Sequence, residues 1–181
     1  MGCSSSSDGG LDNHYDEPPR KVDPRLPYTT YRQVFNLKNS WKAINRKLED
    51  TAKDNLMRFF RKHREYQAMF PQLKDMDEEI MQTSDAFEDQ SLRIFNIFDE
   101  VMEYIDCNVD NAIDILHSTG KQHARIEGFK PEMFSEMEES FMEAAKEVLG
   151  DRFTESADDN LRKLYQFCIK HINAGYAAAT Q

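Results

Sequence analysis

Cysteine is scarce in this 181-residue chain: there are only Cys3, Cys107 and Cys168. An odd number without metal-type spacing argues against a disulfide framework and against a zinc site, and implies reduced intracellular thiols with no Cys107–Cys168 bridge. Positive charge is also short, with 23 Lys and Arg against 33 Asp and Glu, a formal net of −10. A nucleic-acid binder needs a basic footprint, so that class is not expected. No apolar run approaches about 20 residues, so nothing in the sequence spans a bilayer. A charged, then apolar, then small-residue leader is missing as well, which speaks against secretion. There is no Gly-rich phosphate loop, nucleophile motif or internal repeat, and no enzyme is expected.

Proline and glycine are few, 6 and 7 residues, and they cluster. Gly9, Gly10, Pro18, Pro19, Pro24 and Pro27 fall in the first 29 residues, with few apolar groups between them. Residues 1–29 therefore read as a disordered tail and residues 30–181 as the folded domain. A flexible tail of that length has an r.m.s. span of about 30 Å.

The tail begins Met1-Gly2-Cys3-Ser4-Ser5-Ser6. Removal of Met1 would expose Gly2 for myristoylation, with Ser6 in the required hydroxyl position, and Cys3 is placed for palmitoylation. One acyl chain holds a bilayer only marginally, whereas two hold stably. The expectation is anchorage by Gly2 and Cys3 at the inner leaflet, on the cytoplasmic face of the plasma membrane, or a cytoplasmic location without acylation.

From Tyr31 onward apolar residues recur at threes and fours, never in strand alternation. Val34, Leu37, Trp41, Ile44 and Leu48 form one stripe, with Thr30 and Gln33 as a capping box at its start. Leu56, Phe59, Phe60 and His63 suggest a second helix. Phe87, Gln90, Ile94, Phe98, Val101 and Ile105 form a long stripe; Ile115, Leu116, Thr119 and His123 a shorter one. Pro131 suits the first position of a helix carrying Phe134, Met137, Phe141, Ala144 and Val148, with Gly150 as its C-terminal cap. Thr154 or Ser156 opens a last helix with Leu161, Tyr165, Cys168 and Ile172 inward. The fold class is all-α.

Several markers stand in a telling order. Trp41 lies in the first helix and Phe59-Phe60 in the second, followed by Phe70-Pro71. Gln90-Ser91-Leu92-Arg93-Ile94 comes next, then His123 ahead of the corner Gly128-Phe129-Lys130-Pro131. From about Tyr31 to Tyr176 this resembles the globin family, leaning towards neuroglobin, globin X and nematode globins. The resemblance implies a globin fold around one haem b, with His123 as the proximal iron ligand. It implies that Phe70 wedges against the macrocycle, that Leu56 and Ile94 lie above the distal face, and that Phe129 packs on the proximal side. Gln90 matches the distal position where His is commonest. Glutamine can donate to a bound gas but is a poor iron ligand, so an open or water-occupied sixth site is expected. Lys121 and Arg125 are candidates for a propionate contact, with a solvated surface role the simpler reading. The implied partners are O2, CO or NO, with a redox protein as a further one. A membrane tether favours redox signalling or gas sensing over storage.

Two other readings compete. Asp106-Cys107-Asn108-Val109-Asp110-Asn111-Ala112-Ile113-Asp114 offers oxygen ligands at EF-hand spacing, but Asn111 stands where Gly is needed and His117 where the bidentate Glu is needed. A myristoylated helical adaptor without cofactor is the other alternative.

Overall fold

The computed structural model describes residues 21–181; Gly2 and Cys3 lie outside them. Eight α-helices are present among the described residues: α1 Tyr31–Asn45, α2 Leu48–Lys62, α3 Glu78–Gln82, α4 Asp85–Tyr104, α5 Val109–His123, α6 Glu132–Glu136, α7 Glu138–Leu149 and α8 Glu155–Thr180. Short 3₁₀ turns occupy Arg64–Met69 and Gly150–Arg152.

Local chemistry sets the helix ends. The Thr30 side chain accepts from the Gln33 backbone N–H, and the Gln33 side chain returns to the Thr30 backbone, completing the expected capping box. The Ser84, Asn108 and Thr154 side chains cap α4, α5 and α8 by accepting from the backbone N–H three residues on. Gly150 ends α7 at φ 52°, a backbone region that side chains with a Cβ rarely adopt.

The main core gathers around Trp41. Its indole lies 6.2 Å from Phe95 and from Phe98, and 6.5 Å from Phe141, and Tyr165 stacks on Phe98 at 5.6 Å. The indole N–H donates to Asp99 at 2.8 Å, which satisfies the one polar atom that burial would otherwise strand. A second, smaller core holds Leu56, Met57, Phe59, Phe60, Leu73, Met81 and Phe87. Ile94 and Met137 pack against both.

The most extensive helix pairing is α5 on α8. A Cβ on Gly120 would collide with the Ile172 carbonyl, and one on Gly175 with the His117 backbone. The two helices thus meet backbone to backbone, and only glycine fits at either position.

Two expectations need correction. Residues 21–29 are not a free linker: Leu26 and Tyr28 are buried in the main core, and the Tyr28 hydroxyl donates to the Asn160 carbonyl at 2.9 Å. Arg25 pairs with Asp23 and with Asp110 at the start of α5. The folded region therefore begins before residue 30. The helix expected after Pro131 is interrupted at Met137 and divides into α6 and α7. The rival EF-hand reading gains no support: α5 already starts at Val109, so Asp110 and Asp114 are helical. Asn108 instead caps α5, accepting from the Asn111 N–H.

Candidate functional site

His123 is the last residue of α5. Its Nδ1 lies 2.8 Å from the Thr119 carbonyl, one turn earlier. A carbonyl only accepts, so Nδ1 must carry the proton and donate. That fixes the neutral tautomer and leaves the Nε2 lone pair without a hydrogen-bond partner among the described residues. Burial pushes the His123 pKa below its ordinary value, against the smaller opposing effect of the Thr119 bond. A neutral, oriented imidazole with a bare ring nitrogen is a transition-metal ligand by chemistry.

Two rings form its wall. Phe129 lies 5.0 Å from the imidazole and Phe134 4.9 Å, the latter edge-on. Both are tied to α8 through their backbones. The Tyr176 hydroxyl donates to the Phe129 carbonyl at 3.2 Å, and the Tyr165 hydroxyl to the Phe134 carbonyl at 2.6 Å. Gly128, at φ 76°, turns the corner between His123 and this wall.

The other predicted residues sit on α2, α4 and the turn after α2. Gln90 and Ile94 are one turn apart on α4, share a face and are both half-buried. Phe70 is half-buried, edge-on to Phe60 at 5.1 Å. Leu56 is fully buried in the second core, so it backs the site rather than lining its open surface. The segment after Phe70 is fastened by Gln67, whose amide donates to the Leu73 carbonyl at 2.8 Å and the Met76 carbonyl at 2.9 Å.

The structure thus gives two groups: His123 with Phe129, and Phe70, Leu56 and Ile94 in or against the second core. Helices α4 and α5 pack together. Among the described residues, no hydrogen bond or ring contact joins His123 to Gln90 or Phe70. Phe129 and Phe134, large apolar side chains left half-buried beside a free imidazole nitrogen, suit an apolar group that bonds to that nitrogen.

The remaining described histidines are placed elsewhere. His63 stacks on Tyr66 at 5.6 Å, and His117 faces His171 at 5.6 Å. Among the described residues no three His, Cys, Asp or Glu side chains gather to hold a metal. Cys168 is buried and free, so it makes no bridge to Cys107. Lys121 and Arg125 are exposed. Reading the sequence missed Tyr165 and Gln67. Tyr165 shows only as one member of an inward stripe, and Gln67 gives no local signal.

Known proteins add the lineage. Residues 53–172 match the globin family model. A solved structure described as a hexacoordinated heme protein from an anhydrobiotic tardigrade is 29% identical, with a TM-score of 0.82 over 86% of this chain and 99% of that one. The hemoglobin of the botfly Gasterophilus intestinalis is 16% identical, with a TM-score of 0.72 over 81% of this chain and 97% of its own. No curated protein sequence matches the chain. The order of helices, the imidazole at the end of α5 and the family match over most of the sequence lead to one conclusion: the chain belongs to the globin family.

Proposed function

We propose that this globin holds one haem b through His123 and reversibly binds O2, CO or NO. The observation that carries the reading is the His123 ring, with Nδ1–H committed to Thr119 and Nε2 bare. The Thr119 bond fixes the ring's rotation and raises its basicity towards iron. Phe129 and Phe134 shield its sides from water, and Phe70 would add apolar contact to the bound group. Iron in such a group supplies reversible binding of diatomic gases and one-electron exchange.

Ile94 would help exclude water, with Leu56 packed behind it in the second core, and the Gln90 amide could donate a hydrogen bond to a gas ligand. The tardigrade relative is described as hexacoordinated, but here Gln90 offers only a weak amide oxygen and His63 is held in its stack on Phe59 and Tyr66. The ferrous iron is therefore expected to be five-coordinate, with no internal side chain to displace.

The test is an optical spectrum of the full chain in ferric, ferrous and CO-bound forms. A Soret band near 400 nm that disappears in His123→Ala is expected. A normal haem spectrum in that variant refutes the ligand assignment. A low-spin, six-coordinate ferrous spectrum at neutral pH refutes the open site.

Myristate on Gly2 and palmitate on Cys3 are the further part of this reading. Among the described residues no helix is long and apolar enough to cross a membrane, so attachment would be through the acyl chains. It would place gas binding beside a membrane, where sensing or electron exchange with a redox partner gains more than storage does. Unmodified Gly2 by mass spectrometry of the protein from its own cells would remove this part.

A further inference from the structure

The interruption between α6 and α7 is a single turn residue, Met137, whose backbone stays right-handed at φ −79° and ψ −14°. Here the Phe134 carbonyl, three residues before Met137, accepts the Tyr165 hydroxyl at 2.6 Å. Tyr165 is 2% exposed and comes from α8. Its ring is gripped by the main core, 5.6 Å from Phe98 and 5.1 Å from Phe141. The hydroxyl is thus aimed by rings of the main core. The residue whose carbonyl it takes is the one whose ring meets the imidazole edge-on.

We propose that Tyr165 is a positioning residue: by holding the Phe134 carbonyl at the α6–α7 break, it sets the Phe134 ring against His123 and so fixes the proximal wall. In functional meaning this rests on His123 as the haem ligand. As a statement about the ring it does not.

Tyr165→Phe keeps the ring and its stacking and removes only the hydroxyl. A matched control exists in Tyr28→Phe, which removes another buried hydroxyl bonded to a backbone carbonyl, that of Asn160. A second variant, Phe134→Leu, keeps the Tyr165 bond available and removes the ring. The full chain prepared without haem is compared by NMR through the His123 ring-proton shifts. Both Tyr165→Phe and Phe134→Leu should move these signals the same way, towards their unfolded-chain positions, while Tyr28→Phe leaves them in place. In haem-loaded protein, Tyr165→Phe should release haem to a scavenger protein several-fold faster than Tyr28→Phe does.

The proposal is overturned if Tyr165→Phe leaves the His123 signals unmoved or moves them no more than Tyr28→Phe. It is overturned if Phe134→Leu has no effect on them, if the haem-release rates of the two tyrosine variants agree, or if Tyr165→Phe alone fails to fold. The NMR comparison needs no haem. A wild-type chain that never retains haem would sink the functional reading while leaving this inference to stand or fall on its own.

Discussion

Two aromatic groups in this molecule differ in one respect. Around Trp41, the rings of Phe95, Phe98, Phe141 and Tyr165 are all buried, each covered by protein on every side. Around His123, the rings of Phe129 and Phe134 are close to one another, 4.8 Å apart, yet only half-buried. Similar ring chemistry serves two ends. The first group is finished by folding, because its partners are other side chains. The second has surface left for a group that is not protein, and its cost in exposed apolar area is recovered only when that group arrives.

The largest expected effect tests the closed group. Phe141→Ala should destabilise the haem-free chain by about 3–5 kcal/mol, as large cavities in a packed core do. Phe129→Ala should cost clearly less in the same urea titration. Equal losses would erase the distinction between the two groups.

Next comes the open group's dependence on its ligand. Haem at 100 times its dissociation constant should raise the stability of the wild-type chain by roughly 2.7 kcal/mol. In His123→Ala that increment should vanish, with the haem-free stability changed little. A variant still stabilised by haem to the wild-type extent would show that the macrocycle is held by burial alone.

Smaller again is the distal contribution. A donor bond from Gln90 is worth about 1 kcal/mol, so Gln90→Leu should speed O2 dissociation by roughly fivefold. Flash photolysis reads this directly. An unchanged rate would put the Gln90 amide in solvent.

The smallest effect concerns pH. His123 and His171 both have pKa values lowered by burial, His171 also by the nearby charges of His117, Lys170 and Arg25. An imidazole with a depressed folded pKa favours the folded state fully above its ordinary value of about 6.5. That contribution is lost as pH falls through the folded pKa. The haem-free chain should therefore weaken as pH falls from about 6.5 towards the folded pKa, and His123→Gln should flatten part of that slope. A slope identical in the variant would assign the whole effect to other groups.

The contrast between the groups also shows what a sequence can disclose. The stripe Val34, Leu37, Trp41, Ile44 and the Thr30–Gln33 cap were legible because helical period and capping are local. His123 stood out because its surroundings carry a recognisable order of markers. Leu26 and Tyr28 were not, since four prolines in a charged stretch look like linker and only their long-range contacts reveal burial. The bond from Tyr165 to Phe134 links α8 to α6 through a backbone carbonyl, which leaves no trace in residue identity. The break at Met137 was hidden for the same reason, because the residues on both sides keep helical spacing.

The glycine crossing of α5 and α8 bears on how the molecule could report an event at its iron. Side chains can re-pack and absorb a small shift, but two backbones in direct contact have no such slack. Gly120 lies one turn before His123, and Gly175 lies near the end of α8, a helix about 39 Å long. A pull on His123 along its axis is therefore shared by α8 rather than dissipated between the helices. A displacement at the end of α5 would then be carried into α8 rather than absorbed by side chains between them.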